Sequence, residues 1–209
     1  MTRKGMTLVS LMIVIAVIGI LSAMMIFSST EAIATAKAAK IIANLQILKR
    51  ATIAWYADNR DKVNANGTLT IGNKKEKPIQ EFSDAQLNLA SYLSHAGGAG
   101  LNVNETTAKY DKTIGRSNTY LKEGCYGICD GGTVTVPKTY DENGNPQTWD
   151  TTEFHRNSWY VGYCFQKGEE AVREKIKGMM NTAGVFLGTA DAHQDTYHDN
   201  NTAVWMRVL

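Results

Sequence analysis

Three groups of residues have types and spacing that could do chemistry. Near the C-terminus, Asp191, His193, Asp195, His198, Asp199, Asn200 and Asn201 crowd together. Hard oxygen ligands so close in sequence suit Ca²⁺, with Asp191, Asp195 and Asp199 as the carboxylates, and histidine suits a transition metal. Their order does not match an EF-hand loop, and a solvated surface loop is the competing reading. The second group is Cys125, Cys129 and Cys164, an odd number that leaves one thiol over. The C-x3-C spacing is not a zinc-knuckle spacing, so a disulfide is expected rather than a metal site. Closeness in sequence and Gly-rich surroundings favour Cys125–Cys129, with Cys164 as a buried thiol. The third is the Gly5–Met6 junction. A short basic leader, with Arg3 and Lys4, ends in Gly5 and meets an uncharged apolar run at once. That junction looks like a peptide bond meant to be cut.

Other chemistry finds no support. There is no Gly-x-Ser-x-Gly, no phosphate-binding loop and no His-Glu-x-x-His. Gly97-Gly98-Ala99-Gly100 lacks the strand-then-helix context that makes glycines cradle phosphate. His95 and His155 stand alone. Trp55, Trp149, Trp159 and Trp205 are spaced as core aromatics, which argues against a nucleic-acid stacking surface. The chain is expected to be no enzyme and to need no cofactor, Ca²⁺ excepted.

The element that positions Gly5–Met6 is the run from Met6 to Phe27. At about 22 residues it is long enough to span a bilayer as a helix. A secretory signal would be shorter and end in a small-x-small cut on its C-terminal side. Thr30 to Trp55 then contains no Pro or Gly and much Ala, the best helix former. Ile41, Leu45, Leu48, Thr52 and Trp55 recur at four-three spacing and make one apolar stripe. One helix is therefore expected from about Thr7 to Ala57, roughly 75 Å long. Its first half is apolar on all faces and its second half is amphipathic, with the stripe packed on the domain that follows.

The chain has 209 residues, so the part after the span can bury a core of its own. Net charge is +2 with pI about 8.3, which offers no bulk argument for nucleic acid. Residues 31 to 60 are locally basic, as a solvated helix face is. Arg3 and Lys4 favour a cytoplasmic N-terminus, though Lys37 and Lys40 on the other flank weaken that signal.

At Gly5, Met6, Thr7 and Leu8, and on through the apolar stretch with Gly19, the chain resembles type IV pilin and pseudopilin precursors. The resemblance covers roughly residues 2 to 60. It implies a leader over 1–5, a transmembrane part over 6–30, an amphipathic helix over 31–61 and a globular head over 62–209. It implies a prepilin peptidase that cuts after Gly5 and methylates Met6, and inner-membrane assembly machinery. It implies other pilin or pseudopilin subunits as partners, met in the filament core through Thr7, Leu8, Ser10 and Gly19. The location would be the bacterial inner membrane, single-pass with the N-terminus in the cytoplasm, then a periplasmic or cell-surface filament. Ser10 departs from the family, where the fifth mature residue is normally Glu, thought to pair with a neighbour's N-terminal amine. Ser10 cannot supply that charge, which suits a minor or tip subunit or a lineage that tolerates a neutral residue. Some major pseudopilins bind calcium before the final strand, where Asp191, Asp195 and Asp199 fall. The competing function is a single-span, membrane-anchored binding protein that never polymerises.

The rest of the chain reads as α+β, with the long helix packed on a small antiparallel sheet and short further helices. Thr68 to Lys77 reads as loop or a short hairpin around Gly72-Asn73. Ser83-Asp84 starts a helix that Gly97-Gly98 ends. Residues 97 to 119 are weakly patterned and expected to be irregular. Thr133–Tyr140 and Gln147–Thr152 read as a hairpin. Trp159, Val161, Tyr163 and Phe165 alternate, so one face of that strand should meet the helix stripe. Glu169–Ala183 reads as an amphipathic helix, with closing strands at Val185–Leu187 and Ala203–Val208.

Overall fold

The computed structural model describes residues 8–65, 68–72, 79, 82, 84–101, 103, 106–111, 116–121, 124–129, 133–140, 146–153, 158–187 and 203–209. Helix α1 runs from Leu8 to Asp58. Its only glycine is Gly19 and it has no proline, so nothing in the backbone breaks it. At its end Asn59 donates twice to the Trp55 carbonyl, from its backbone N–H at 3.0 Å and from Nδ2 at 2.9 Å. A single 3-10 turn, Arg60–Lys62, follows, and Val63 bridges back to Leu69.

Among the described side chains of α1, the first buried one is Ala34. From there Ala34, Ala38, Ile41, Leu45, Leu48, Thr52 and Trp55 are buried at three- and four-residue spacing. Thr52 is polar on this stripe and returns its hydroxyl to the Leu48 carbonyl at 2.8 Å. Trp55 gives its indole N–H to the Leu87 carbonyl at 2.6 Å, which leaves the ring free to pack.

Leu87 ends the short helix α2, Asp84–Leu87, and α3 spans Leu89–Ala96. Asn88, at φ 52°, separates them where the sequence predicts one helix. Asparagine tolerates that left-handed turn, and the kink lets Leu87, Leu89 and Leu93 all reach the core. Strands β1 (Thr106–Asp111), β2 (Arg116–Leu121), β3 (Tyr126–Cys129), β4 (Thr133–Tyr140), β5 (Pro146–Glu153) and β6 (Tyr160–Cys164) come next. Helix α4 (Glu170–Ala183), β7 (Phe186–Leu187) and β8 (Ala203–Arg207) complete the order.

The expected α+β fold with a small antiparallel sheet is present, and a second sheet accompanies it. One is antiparallel throughout, in the order β3-β6-β8-β7. The other, β1-β2-β4-β5, joins two hairpins through a parallel contact between Tyr120 and Thr135. The segment expected to be irregular holds β1 and β2. Those strands are rich in Thr and Tyr, which favour strands, but have too few apolar residues to show alternation.

The antiparallel sheet is buried on both faces, which is why β3 and β6 show no exposed positions. Tyr126, Ile128, Val161, Tyr163, Val204 and Met206 share the main core with the α1 stripe. Trp159 meets Trp55 at 6.0 Å between ring centres and Tyr56 edge-on at 5.2 Å. On the other face Cys129, Tyr160, Cys164, Ala203 and Trp205 form a second cluster, with Phe186 packed against it. Gly162 opens that face: a Cβ there would stand 2.2 Å from the Trp205 ring. Helix α4 lays Val172 and Ile176 into the main core beside α1. Gly184, at φ 64°, caps it.

Candidate functional site

Residues 8–33 of α1 differ from every other described part of the chain. Leu8, Val9, Met12, Ile15, Leu21 and Met25 are all more than half exposed, and they lie on every side of the helix. The most apolar 18-residue window has a mean hydropathy of 2.8, and none of it is buried within the chain. So continuous an apolar cylinder is not stable against water; it requires lipid or other helices around it. The apolar run ends at Ser28, and Glu31 is the first charge after Lys4. Glu31 meets Lys175 of α4 at 3.7 Å, close to where the head begins to cover the helix.

Within the apolar segment, Ala16, Gly19 and Ala23 lie on one face. Apart from the local helix backbone and the adjoining residues, no heavy atom of the described chain lies within 4 Å of where a Gly19 Cβ would stand. Nothing inside the described chain therefore demands a glycine there. Ser10 sits half-buried near the start of the helix. Gly5, Met6 and Thr7 lie outside the described residues, as do Asp191, Asp195 and Asp199. Among the described residues, no three His, Cys, Asp or Glu side chains gather closely enough to hold a metal ion.

The cysteines are placed differently from the sequence expectation. All three are buried and stand as thiols in the structure. Cys125 directly precedes β3 and Cys129 ends it, so an extended strand separates them. Four residues of strand span roughly 13 Å, against a limit of about 7 Å between Cα atoms for a disulfide. The Cys125–Cys129 pairing is thus ruled out by the strand that the Gly-rich flanks conceal. The near neighbour of Cys125 is Cys164, whose N–H donates to the Cys125 carbonyl at 3.2 Å.

A polar chain that the sequence does not announce links α1 to the sheet and to α4. Asn44 donates from Nδ2 to the Tyr126 hydroxyl at 2.8 Å. The Tyr126 and Tyr163 rings lie 4.9 Å apart, and the Tyr163 hydroxyl donates to Glu169 Oε2 at 3.0 Å. The same oxygen accepts the Gln166 backbone N–H at 2.9 Å, which fixes the turn into α4. Burial pushes the Tyr163 phenol well above its ordinary value, and the Glu169 carboxylate pushes it further. Burial raises Tyr126 as well, against the Asn44 hydrogen bond. Both phenols stay protonated at neutral pH, and these hydrogen bonds brace α1 against the sheet and the start of α4.

Compared with known protein families, residues 1–26 match the model of the prokaryotic N-terminal methylation motif. No curated protein and no solved structure matched the chain. The motif and the apolar helix fit prepilin-type cleavage, methylation and membrane anchoring. They point to a structural protein rather than an enzyme, one that assembles with other pilin subunits after processing by a prepilin peptidase. The chain carries on its first 26 residues the signature of type IV pilins and pseudopilins.

Proposed function

We propose that this chain is a pilin-like structural subunit of a type IV pilus or a type II secretion-type pseudopilus. Residues 1–5 are the leader, 6–30 the transmembrane part, 31–61 the amphipathic part of the helix and 62–209 the head. The subunit waits in the bacterial inner membrane with its N-terminus in the cytoplasm. A prepilin peptidase cuts after Gly5 and methylates Met6, and the assembly machinery lifts the helix from lipid into a filament outside. The observation that carries this reading is a single helix whose large apolar side chains from Leu8 to Met25 stand exposed and whose stripe from Ala34 is covered by its own head.

The mechanism is association. Leaving lipid for a bundle costs the apolar helix little, and close packing provides the gain. Ala16, Gly19 and Ala23 let a neighbouring backbone approach, and Thr7, Leu8 and Ser10 lie at the end that enters the bundle first. Ser10 brings no carboxylate there. A buried charge needs a partner, so a subunit without that carboxylate suits the tip, where it need not neutralise a neighbour's amine.

Mass spectrometry of the mature N-terminus tests the reading. The expected product begins at N-methyl-Met6, and Gly5→Val blocks the cut. An intact leader on protein that stays in the membrane and never enters filaments overturns it in favour of a membrane-anchored protein that does not polymerise. The tip assignment falls if the chain is the bulk component of purified filaments.

A further inference from the structure

We propose that Cys125 and Cys164 are the site of an intrachain disulfide across β3 and β6. In this antiparallel pair Tyr126 stands opposite Tyr163 and Ile128 opposite Val161. One step beyond Tyr126–Tyr163, where the regular pairing ends, the Cys164 N–H donates to the Cys125 carbonyl at 3.2 Å and sets the two residues across from each other. The Gly124 N–H, at 2.8 Å from the Cys164 carbonyl, holds the strand end in place.

Side chains alternate along a strand. Tyr126 and Tyr163 belong to the main core on the α1 face. Cys125 and Cys164 therefore share the other face. Directly opposite residues have Cα atoms about 4.5–5.5 Å apart, inside the range of about 4.4–6.8 Å that a disulfide requires. Cys129 is also on that face, but it stands opposite Tyr160, at the far end of the pairing. It is roughly 13 Å along the strand from Cys125 and comparably far from Cys164. One pair of the three is within bridging reach.

The exchange balances with a small or protein disulfide as oxidant. One thiolate attacks the oxidant's disulfide, forms a mixed disulfide and releases one sulfur as thiol. The second thiolate displaces the other, so two protein thiols and one disulfide become one protein disulfide and two thiols. Cys125 and Cys164 are 4% and 0% exposed, so the bond forms during folding and is then shielded from reductant. It closes a loop of about 40 residues that contains β4 and β5, long enough to stabilise by restricting the unfolded chain. Formation in the cell rests on the export of the head proposed above.

The test uses the full chain, purified in detergent from membranes, denatured without reductant, alkylated and mapped by peptide mass spectrometry. One reactive thiol and a Cys125–Cys164 cross-linked peptide are expected. If the isolated protein holds three thiols but forms that link on refolding with oxidised glutathione, the pair stands and the export reading falls. Three thiols after such refolding, or a link through Cys129, overturns the proposal. Without reductant, Cys125→Ser and Cys164→Ser should each melt lower by roughly 10 °C, while Cys129→Ser should keep the wild-type reductant-sensitive shift. A wild-type melting temperature that stays the same after unfolding, reduction and refolding in dithiothreitol also overturns it.

Discussion

Residues 8–33 and 34–58 of α1 belong to one unbroken helix, both rich in apolar side chains, yet they meet opposite surroundings. In the first part Leu11, Ile13, Val14 and Ile18 are exposed side by side, so no face is reserved for the protein's own core. In the second, Ile41, Leu45, Leu48 and Trp55 are covered, while Ala43, Gln46, Arg50 and Ala54 on the other side face outward. Apolar content is thus a poor guide to what a helix packs against; its angular distribution decides. A ring of apolar residues requires an apolar medium, whereas a stripe requires one partner surface. The head supplies that surface with β6, β8, α3 and α4.

The sharpest way to break the contrast is to truncate one residue in each part. Trp55→Ala should lower stability by about 3–5 kcal/mol, since the ring is wholly buried and its loss also orphans the Leu87 carbonyl. Ile15→Ala should leave the unfolding of the head unchanged and weaken assembly or membrane retention. Chemical denaturation of the detergent-solubilised chain, beside a filament or membrane-fraction assay, reads both. Equal destabilisation by the two would mean that the head depends on the first part after all.

Gly162→Ala probes the opposite face of the sheet that receives the stripe. A methyl group would stand 2.2 Å from the Trp205 ring, and strand backbone leaves little room to yield. A loss of about 1–3 kcal/mol is expected in the same denaturation measurement. An unchanged midpoint would show that Trp205 moves aside freely.

The tyrosine brace offers a pH test of the same contact. Tyr163 and Tyr126 are raised by burial, so the folded chain keeps phenolic protons that the unfolded chain releases from about pH 10 upward. Their contribution is full below about pH 10 and declines as pH rises beyond it. Tyr163→Phe should flatten that decline and, by removing the bond to Glu169, cost about 1 kcal/mol at neutral pH. Denaturation midpoints from about pH 8 to 11 read it, and parallel curves for wild type and variant would count against the brace.

The smallest effect is expected where the two parts meet. Lys175 and Glu31 are 3.7 Å apart, with side chains 36% and 75% exposed. Lys175→Ala should change stability by no more than about 0.5 kcal/mol, and less in high salt. A larger, salt-sensitive loss would make this pair a true clamp between head and helix.

Local spacing on its own determined the N-terminal motif, the length of α1, its change from ring to stripe, the β4–β5 hairpin and α4. Each rests on neighbours within a few turns of helix or a few residues of strand. The tertiary structure alone decided the rest. Asn88 splits a helix because three leucines must reach one core. β1 and β2 pair although their polar residues show no alternation. Cys125 lies across the strands from Cys164, while its near neighbour in sequence, Cys129, lies at the far end of β3, because antiparallel pairing brings residues far apart in sequence face to face. A strand also drives residues close in sequence apart. Adjacency along the chain says little about adjacency across a sheet, which is why sequence spacing places the helix but not the neighbours of the cysteines.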